Sequence, residues 1–465
     1  MTKLASYHMP GLYVEDHAID VPLDWRGIEP AQLAANPNVR SSEAPIPGAP
    51  ETIRLFYRVL TTPENAHRDD LPLFLFLQGG PGGEGPRPGS ASSIAWVAEA
   101  LKHFRLVFPD QRGTGRSSHV SGATIAPLPS ARAQADYLKR FLASSIVKDF
   151  EYLRLTQFEG KKWTTLGQSY GGFLTLTYLS FYGDALTACF TAGGIPHVPP
   201  LASEVYEHTF PRMVKKTNQF YERYPEDEGR VAALADLLAK GTTKLPDGSP
   251  FTVRRLQLLS SDFGIKPCWE TMHNRLDLAF EHGDGTLAAG EEPHLNEGLL
   301  LDVLGATSSA ARSLYWVLQE FIYGNGETKP TRWAAEQEYQ KHPDFAASAR
   351  PLMFTGEAMF PWMFEEDPTL VPFKPAMDLL MEDTWFDPIY DEAALAANTV
   401  PLQAAVYFDD LYVDSGMQLD TLSRVGASHY WTTNEFEHDG IRGGDVFAHI
   451  FNEAKNRGDL DEIFR

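Results

Sequence analysis

A serine flanked by glycines stands in the segment Gly167-Gln168-Ser169-Tyr170-Gly171. A serine hydroxyl is a weak nucleophile at neutral pH, so it needs a histidine as base and usually an acid that orients the histidine. The five-residue pattern becomes specific when a strand precedes it and a helix follows, because the sharp turn then exposes the hydroxyl. Residues 163–166 predict a strand and residues 173–181 predict a helix. Ser169 is therefore predicted to be a nucleophile.

The acid that completes such a site is expected after a late strand. Residues 400–408 predict that strand, and two aspartates, Asp409 and Asp410, follow it directly. We predict Asp410 as the acid, with Asp409 as the alternative and Asp414 as a more distant candidate.

The histidine is expected after the next strand along the chain. Residues 428–436 predict that strand, and His438 lies just past it in a turn-like segment. No other histidine of the sequence has this position, so we predict His438 as the general base.

Backbone N–H groups must stabilise the negative charge that develops on the substrate carbonyl during acyl transfer. Tyr170, which follows the serine, supplies one N–H group. The glycine loop at residues 78–83 supplies another, because glycine lets the backbone approach a substrate closely. We predict that Gly80 and Tyr170 form this oxyanion hole. A phosphate-binding loop is disfavoured, since no Lys-Ser/Thr pair follows and Pro81 lacks an N–H group.

The elements that must position these groups alternate between strand and helix. Apolar runs at 73–77 and 106–108 predict buried strands, with a short helix at 94–103 between them, and residues 52–60 predict a half-buried strand. Apolar residues at three- and four-residue steps predict one long helix over 133–155. The further predicted elements are a strand at 186–192 and helices at 416–424 and 446–456. This alternation predicts a mostly parallel central sheet with helices on both faces. Together with the serine motif between a strand and a helix, it is typical of an α/β-hydrolase fold.

Helical periodicity dominates from about residue 200 to 345, where the alternation stops. We therefore predict that residues 1–199 and 346–465 form two parts of one core and that residues 200–345 form an inserted, mainly helical cap. The length of 465 residues suits one large domain with an insertion.

Composition excludes several classes of function. A net charge of −22 makes nucleic acid an improbable partner, because phosphate binding needs clustered cations. Cys189 and Cys268 have no disulfide or zinc spacing, and there is no His-Glu-x-x-His pattern, so we expect neither a metal nor a cofactor. No signal peptide and no apolar run of about 20 residues is present, so we expect a cytoplasmic protein without membrane contact.

Three segments together resemble the proline iminopeptidase (prolyl aminopeptidase) family of α/β-hydrolases. Residues 78–82 are similar to that family's His-Gly-Gly-Pro-Gly oxyanion loop, although Gln78 replaces the histidine. Residues 110–117 are similar to its Asp-x-Arg-Gly-x-Gly-x-Ser segment, and residues 167–172 to its nucleophile elbow. The order and spacing agree, and the size of the insertion resembles the longer bacterial branch.

The resemblance implies a serine aminopeptidase that releases an N-terminal residue, preferably proline, from short peptides with a free N-terminus. Such a site must hold an ammonium group with carboxylates and a pyrrolidine ring with apolar walls. The aromatic runs 314–323 and 354–362 each contain one glutamate, which makes Glu320 and Glu357 candidates for substrate binding. The same runs fit core faces with a carboxylate that reaches solvent equally well. The substitutes are Glu204 and Glu270.

Two alternatives remain beside the aminopeptidase. An esterase or another small-molecule acyl hydrolase would use the same triad, because a triad determines the reaction and not the substrate. A non-catalytic receptor on this scaffold would normally lack a triad member.

Asp110 and Arg112 are predicted to pin two loops near the site by a buried, charge-assisted hydrogen bond.

Overall fold

The computed structural model describes residues 2–281 and 294–464. Its strands are β1 (Thr2–Met9), β2 (Leu12–Pro22), β3 (Thr52–Thr61), β4 (Leu73–Leu77), β5 (Arg105–Pro109), β6 (Trp163–Gln168), β7 (Leu186–Ala192), β8 (Gly326–Glu327), β9 (Trp385–Phe386), β10 (Leu402–Tyr407) and β11 (Ser428–Thr433). Within the described ranges, nine of them form one sheet in the order β1-β2-β3-β5-β4-β6-β7-β10-β11. The pairs from β5 onwards are parallel, and those before it are antiparallel. β8 and β9 form a separate antiparallel ribbon.

The helices lie between these strands along the chain, except for the last two, which follow β11. They are α1 (Pro30–Ala35), α2 (Ala95–Ala100), α3 (Gly122–Ile125), α4 (Ala131–Lys139), α5 (Ala143–Gln157), α6 (Tyr170–Tyr182), α7 (Ala202–Arg223), α8 (Pro225–Leu238), α9 (Val253–Leu258), α10 (Cys268–Asp277), α11 (Glu297–Thr307), α12 (Ser313–Leu318), α13 (Ala334–Lys341), α14 (Met363–Glu366), α15 (Lys374–Leu380), α16 (Glu392–Ala396), α17 (Ser415–Leu422), α18 (Gly440–Gly443) and α19 (Val446–Arg457). None in the described part of the chain is both long and apolar enough to cross a membrane.

Side chains of the central strands are buried on both faces of the sheet. On one face Phe76 stacks on Trp96 of α2 with ring centroids 4.5 Å apart, and Phe74 packs edge-on against Phe447 of α19. On the other face Trp163 donates an indole hydrogen bond to the hydroxyl of Tyr178 in α6, at 3.2 Å. Helices therefore cover both faces, which confirms the predicted mostly parallel sheet between two helical layers.

The chain folds into two compact units, whose bounds differ from the predicted ones. The first comprises Met1–Leu201, Arg312–Pro330 and Pro375–Arg465, and the second comprises Ala202–Ala311 and Thr331–Lys374. The second unit therefore differs from the insertion that was predicted at 200–345. Residues 312–330, which were predicted to belong to the insertion, fold with the first unit, and residues 346–374, which were predicted to belong to the core, fold with the second.

Aromatic packing explains both differences. Phe321 stacks on Phe386 of the first unit, with ring centroids 5.8 Å apart. Phe354 packs between Phe220 and Phe263 of the second unit, at 6.2 and 5.3 Å. Periodicity along the chain carries no information on these partners, which are distant in sequence. That the second unit acts as a cap stays a prediction.

The prediction of one long helix over 133–155 is wrong, because the structure has two helices, α4 and α5. Between them the guanidinium of Arg112 donates a hydrogen bond to the carbonyl oxygen of Arg140 at 2.6 Å. Leu142 then takes an extended conformation, with φ −90° and ψ 174°. A distant arginine occupies a carbonyl that a continuous helix would use, so the apolar spacing alone was misleading.

Candidate active site

Ser169 lies at the turn between β6 and α6, in a backbone conformation rare for a residue with a side chain. Its φ is +83° and its ψ is −120°. Such strained geometry persists only where the surroundings impose it, and it is concentrated at functional sites. A Cβ atom at Gly171 would overlap the carbonyl oxygen of Leu77, so glycine is required for β4 to approach the turn.

A continuous chain of hydrogen bonds links three residues that are far apart in sequence. The Nε2 atom of His438 lies 2.9 Å from Oγ of Ser169, and its Nδ1 atom lies 2.8 Å from Oδ2 of Asp410. Parallel strands bring their carboxyl ends to one edge of the sheet, and the three residues follow β6, β10 and β11 there. The structure thus brings together the predicted nucleophile, base and acid.

Asp410 is fully buried and oriented by its own loop. Its Oδ1 atom accepts hydrogen bonds from the backbone N–H groups of Tyr412 and Val413, at 2.8 and 3.0 Å. The alternatives lie elsewhere, because Asp409 is partly exposed and Asp414 accepts the N–H of Met417 at the start of α17. Of the three aspartates, Asp410 is the one that contacts His438.

The glycine loop after β4 lies against Ser169. A Cβ atom built at Gly79 would be 3.1 Å from Cβ of Ser169, and Gly80 has a φ of +125°. Tyr170 is the first residue of α6, so its N–H group has no acceptor within the helix and lies where a helix favours negative charge. The predicted oxyanion-hole residues therefore belong to segments that meet at Ser169.

The side chains of Asp110 and Arg112 bind different partners. Asp110 is fully buried and accepts hydrogen bonds from the N–H group of Gly85 and, at 2.6 and 2.7 Å, from the Arg87 guanidinium. It thereby ties the loop that continues the glycine segment to the turn after β5. Arg112 instead forms a buried, bidentate pair with Asp149.

The predicted substrate carboxylates lie in different units. Glu320 is fully buried in the first unit, and the burial of Tyr323, together with the charge of Glu320, raises the pKa of Tyr323. Glu357 is half-buried in the second unit. Of the substitutes, Glu270 forms an ion pair with Arg223 at 2.6 Å, and Glu204 is half-buried in the first turn of α7.

Two contacts to His438 were not predicted from the sequence. The side-chain amide of Gln168 donates to the carbonyl oxygen of His438 at 3.2 Å, and the ring of Tyr412 packs edge-on against the imidazole with centroids 4.7 Å apart. Neither residue shows a local pattern that signals its partner.

No cluster of metal-ligating side chains occurs among residues 2–281 and 294–464.

Comparisons with known proteins identify the fold and the family of the chain. Residues 72–240 match a family described as alpha/beta hydrolase fold. A proline iminopeptidase of Aeromonas sobria is 36% identical over 443 residues, which cover 95% of this chain and 96% of that protein. A proline iminopeptidase of Aspergillus aculeatus is 30% identical over 418 residues, covering 88% of this chain and 90% of the relative.

A solved structure from Mycobacterium smegmatis, also named a proline iminopeptidase, is 14% identical and has a TM-score of 0.41, covering 88% of this chain and 97% of that one. The family relationship follows from the two sequence relatives, which match this chain over nearly all of its length. The chain belongs to the proline iminopeptidase family of α/β-hydrolases, as the motifs predicted.

Proposed function

We propose that the chain is a serine aminopeptidase that releases an N-terminal residue, preferably proline, from peptides. Ser169 is the nucleophile, His438 is the general base and acid, and Asp410 orients His438 and stabilises its charged form. The observation that carries this proposal is the hydrogen-bond chain from Asp410 through His438 to Ser169, with both distances below 3.0 Å. The names of the two relatives support the substrate class.

The reaction proceeds through an acyl-enzyme. Oγ of Ser169 attacks the carbonyl carbon of the N-terminal residue while Nε2 of His438 takes the hydroxyl proton. The N–H groups of Gly80 and Tyr170 hold the oxyanion of the tetrahedral intermediate. The C–N bond then breaks, and His438 gives its proton to the departing amine of the shortened peptide. Water attacks the acyl-enzyme in the same way and releases the free amino acid.

Glu320, in the first unit, is proposed to bind the substrate ammonium group, and Glu357, in the second unit, stays the other candidate predicted from the sequence. A buried carboxylate such as Glu320 costs free energy unless charge or hydrogen bonds compensate it, and a substrate cation would add to that compensation. The aromatic residues beside each glutamate, including Tyr323 and Phe360, would supply apolar walls for the ring.

Three substrates test the proposed activity. Proline arylamide carries the free amine, its N-acetylated form lacks the charge, and a p-nitrophenyl ester tests acyl transfer alone. We expect rapid hydrolysis of the free-amine arylamide and at least a hundredfold slower hydrolysis of the acetylated form, because acetylation removes the ammonium group. Ester turnover without activity on any free-amine arylamide would replace the proposal by the esterase alternative.

Glu320→Gln tests the proposed substrate carboxylate separately. We expect KM for proline arylamide to rise by about 10- to 100-fold, since a hydrogen bond to a charged group contributes about 1.5–3 kcal/mol. Ester hydrolysis should stay within about twofold, because the ester lacks the ammonium group. Glu270→Gln is the control, since Arg223 already pairs with that carboxylate. An equal loss with both substrates would assign Glu320 to packing.

A cytoplasmic location is part of the proposal. Neither Cys189 nor Cys268 forms a disulfide, which suits a reducing compartment. Cell fractionation of the full chain tests this, and recovery outside the cytoplasm would contradict it.

A further inference from the structure

We propose that Gln168 is a positioning residue, which fixes the general base by a hydrogen bond from its side-chain amide to the main chain of His438. This inference rests on the proposed function, because it concerns the same triad. It assigns a role in the reaction to the residue that precedes the nucleophile, which neither the motif nor the comparisons assign.

His438 lies on a loop that must hold it accurately. The loop connects the end of β11 at Thr433 to the start of α18 at Gly440, and Asn434 and Glu435 within it are exposed. The imidazole has to keep two hydrogen bonds at once, one on each ring nitrogen. Those bonds orient the ring, but they leave the main chain of the loop to be fixed by other contacts.

Gln168 supplies such a contact from the rigid sheet. It is the last residue of β6, pairs in register with Ala192 of β7, and is only 5% exposed. Its Nε2 atom lies 3.2 Å from the carbonyl oxygen of His438. A carbonyl oxygen only accepts hydrogen bonds, so the amide nitrogen is the atom that faces it. Among the described residues, this is the hydrogen bond that joins the peptide group of His438 to a strand of the sheet.

This hydrogen bond can affect the reaction because Gln168 is adjacent to Ser169 in the sequence. Gln168 is covalently joined to Ser169, so one strand end carries both the nucleophile and the contact that holds its base. A shift of β6 therefore moves Ser169 and His438 together. Displacement of a catalytic group by about 1 Å costs on the order of 100-fold in rate, so loss of the bond acts on kcat through geometry.

Gln168→Met tests the inference, because methionine matches the length of glutamine but has no amide. The first readout is the rate at which a fluorophosphonate probe labels Ser169, which requires the base but no peptide substrate. We expect labelling on the order of tenfold slower, and a similar fall in kcat for proline arylamide with KM within about twofold. Gln168→Asn, whose shorter amide falls short of the carbonyl, should behave alike and replaces the methionine variant if that fails to fold.

Gln134→Met is the matched control. Its amide also donates to a backbone carbonyl at 3.2 Å, that of Ile125, but it lies on α4 away from the triad residues. This variant should label and turn over like the wild type.

The outcomes separate the two proposals. Absence of labelling in the wild-type chain would refute the proposed nucleophile. Rapid labelling of the wild type with equally rapid labelling of a folded Gln168→Met variant would refute the role of Gln168 alone. A fall in thermal stability without a change in kcat would assign Gln168 to packing and also overturn the inference.

Discussion

Two fully buried aspartates of the first unit, Asp410 and Asp149, differ in the partner that faces each carboxylate. Asp410 meets the imidazole of His438 at 2.8 Å and two backbone N–H groups of its own loop. Asp149 meets the guanidinium of Arg112 through two hydrogen bonds, at 2.7 and 2.5 Å, and the indole of Trp25 at 2.7 Å. Both carboxylates are satisfied, and both lie away from solvent.

The difference between these regions lies in what the partner can do. Arginine stays protonated at every physiological pH, so the Arg112 pair can only hold structure. Histidine can accept and donate a proton as a general base and acid, and His438 contacts a strained serine. Burial and charge pairing therefore do not identify a catalytic carboxylate, whereas a titratable partner connected to a nucleophile does.

The largest effect is expected for Ser169→Ala. Removing the proposed nucleophile should lower kcat for proline arylamide by on the order of 10⁶-fold, while the melting temperature stays close to that of the wild type. Steady-state kinetics and thermal unfolding measure the two quantities. Residual activity within tenfold of the wild type would mean that the reaction occurs at a site other than the one formed by Ser169, His438 and Asp410.

Asp410→Asn is expected to act on chemistry. Asparagine keeps an Oδ1 acceptor for the N–H groups of Tyr412 and Val413, but its amide cannot accept the Nδ1 proton of His438. The wrong tautomer is then favoured, and kcat should fall by about 10⁴-fold. Rapid-quench or steady-state assays on folded protein measure this. If the variant lost stability and kept its kcat, Asp410 would have a structural role, as we expect for Asp149.

Asp149→Asn is the matched change in the other region, and it should act on stability. It leaves the Arg112 guanidinium buried without its counter-charge, which costs about 3–5 kcal/mol in the free energy of unfolding. Urea unfolding followed by tryptophan fluorescence measures the loss. The kcat of the protein that remains folded should stay within about twofold, and a selective loss of kcat would break the comparison.

The smallest effect is expected for Asp409→Asn. This neighbour of Asp410 is partly exposed, and substitutions of such residues usually change stability by less than about 0.5 kcal/mol. Both kcat and the melting temperature should stay close to wild-type values. A fall in kcat comparable with that of Asp410→Asn would support Asp409, the alternative candidate, as the acid.

Much of the site could be predicted because its signals are local. A strand followed by Gly-x-Ser-x-Gly and a helix marks Ser169, and the order of later strands marks His438. The choice between Asp409 and Asp410 could not be made locally, since adjacent residues differ only in the direction of their side chains. Gln168 was also missed, because its partner lies 270 residues away.

The sequence by itself determined the strand-to-helix order, the family and the chain positions of the candidate nucleophile and base, and it narrowed the acid to the aspartates after the late strand, because periodicity and motifs act over a few residues. Only the tertiary structure decided which carboxylate meets His438, where the helix predicted over 133–155 divides, and that residues 312–330 fold with the sheet. Each of these depends on a contact between distant segments, such as Arg112 with Arg140 or Phe321 with Phe386. Side-chain packing and hydrogen bonding across the fold select such partners, and spacing along the chain does not encode them.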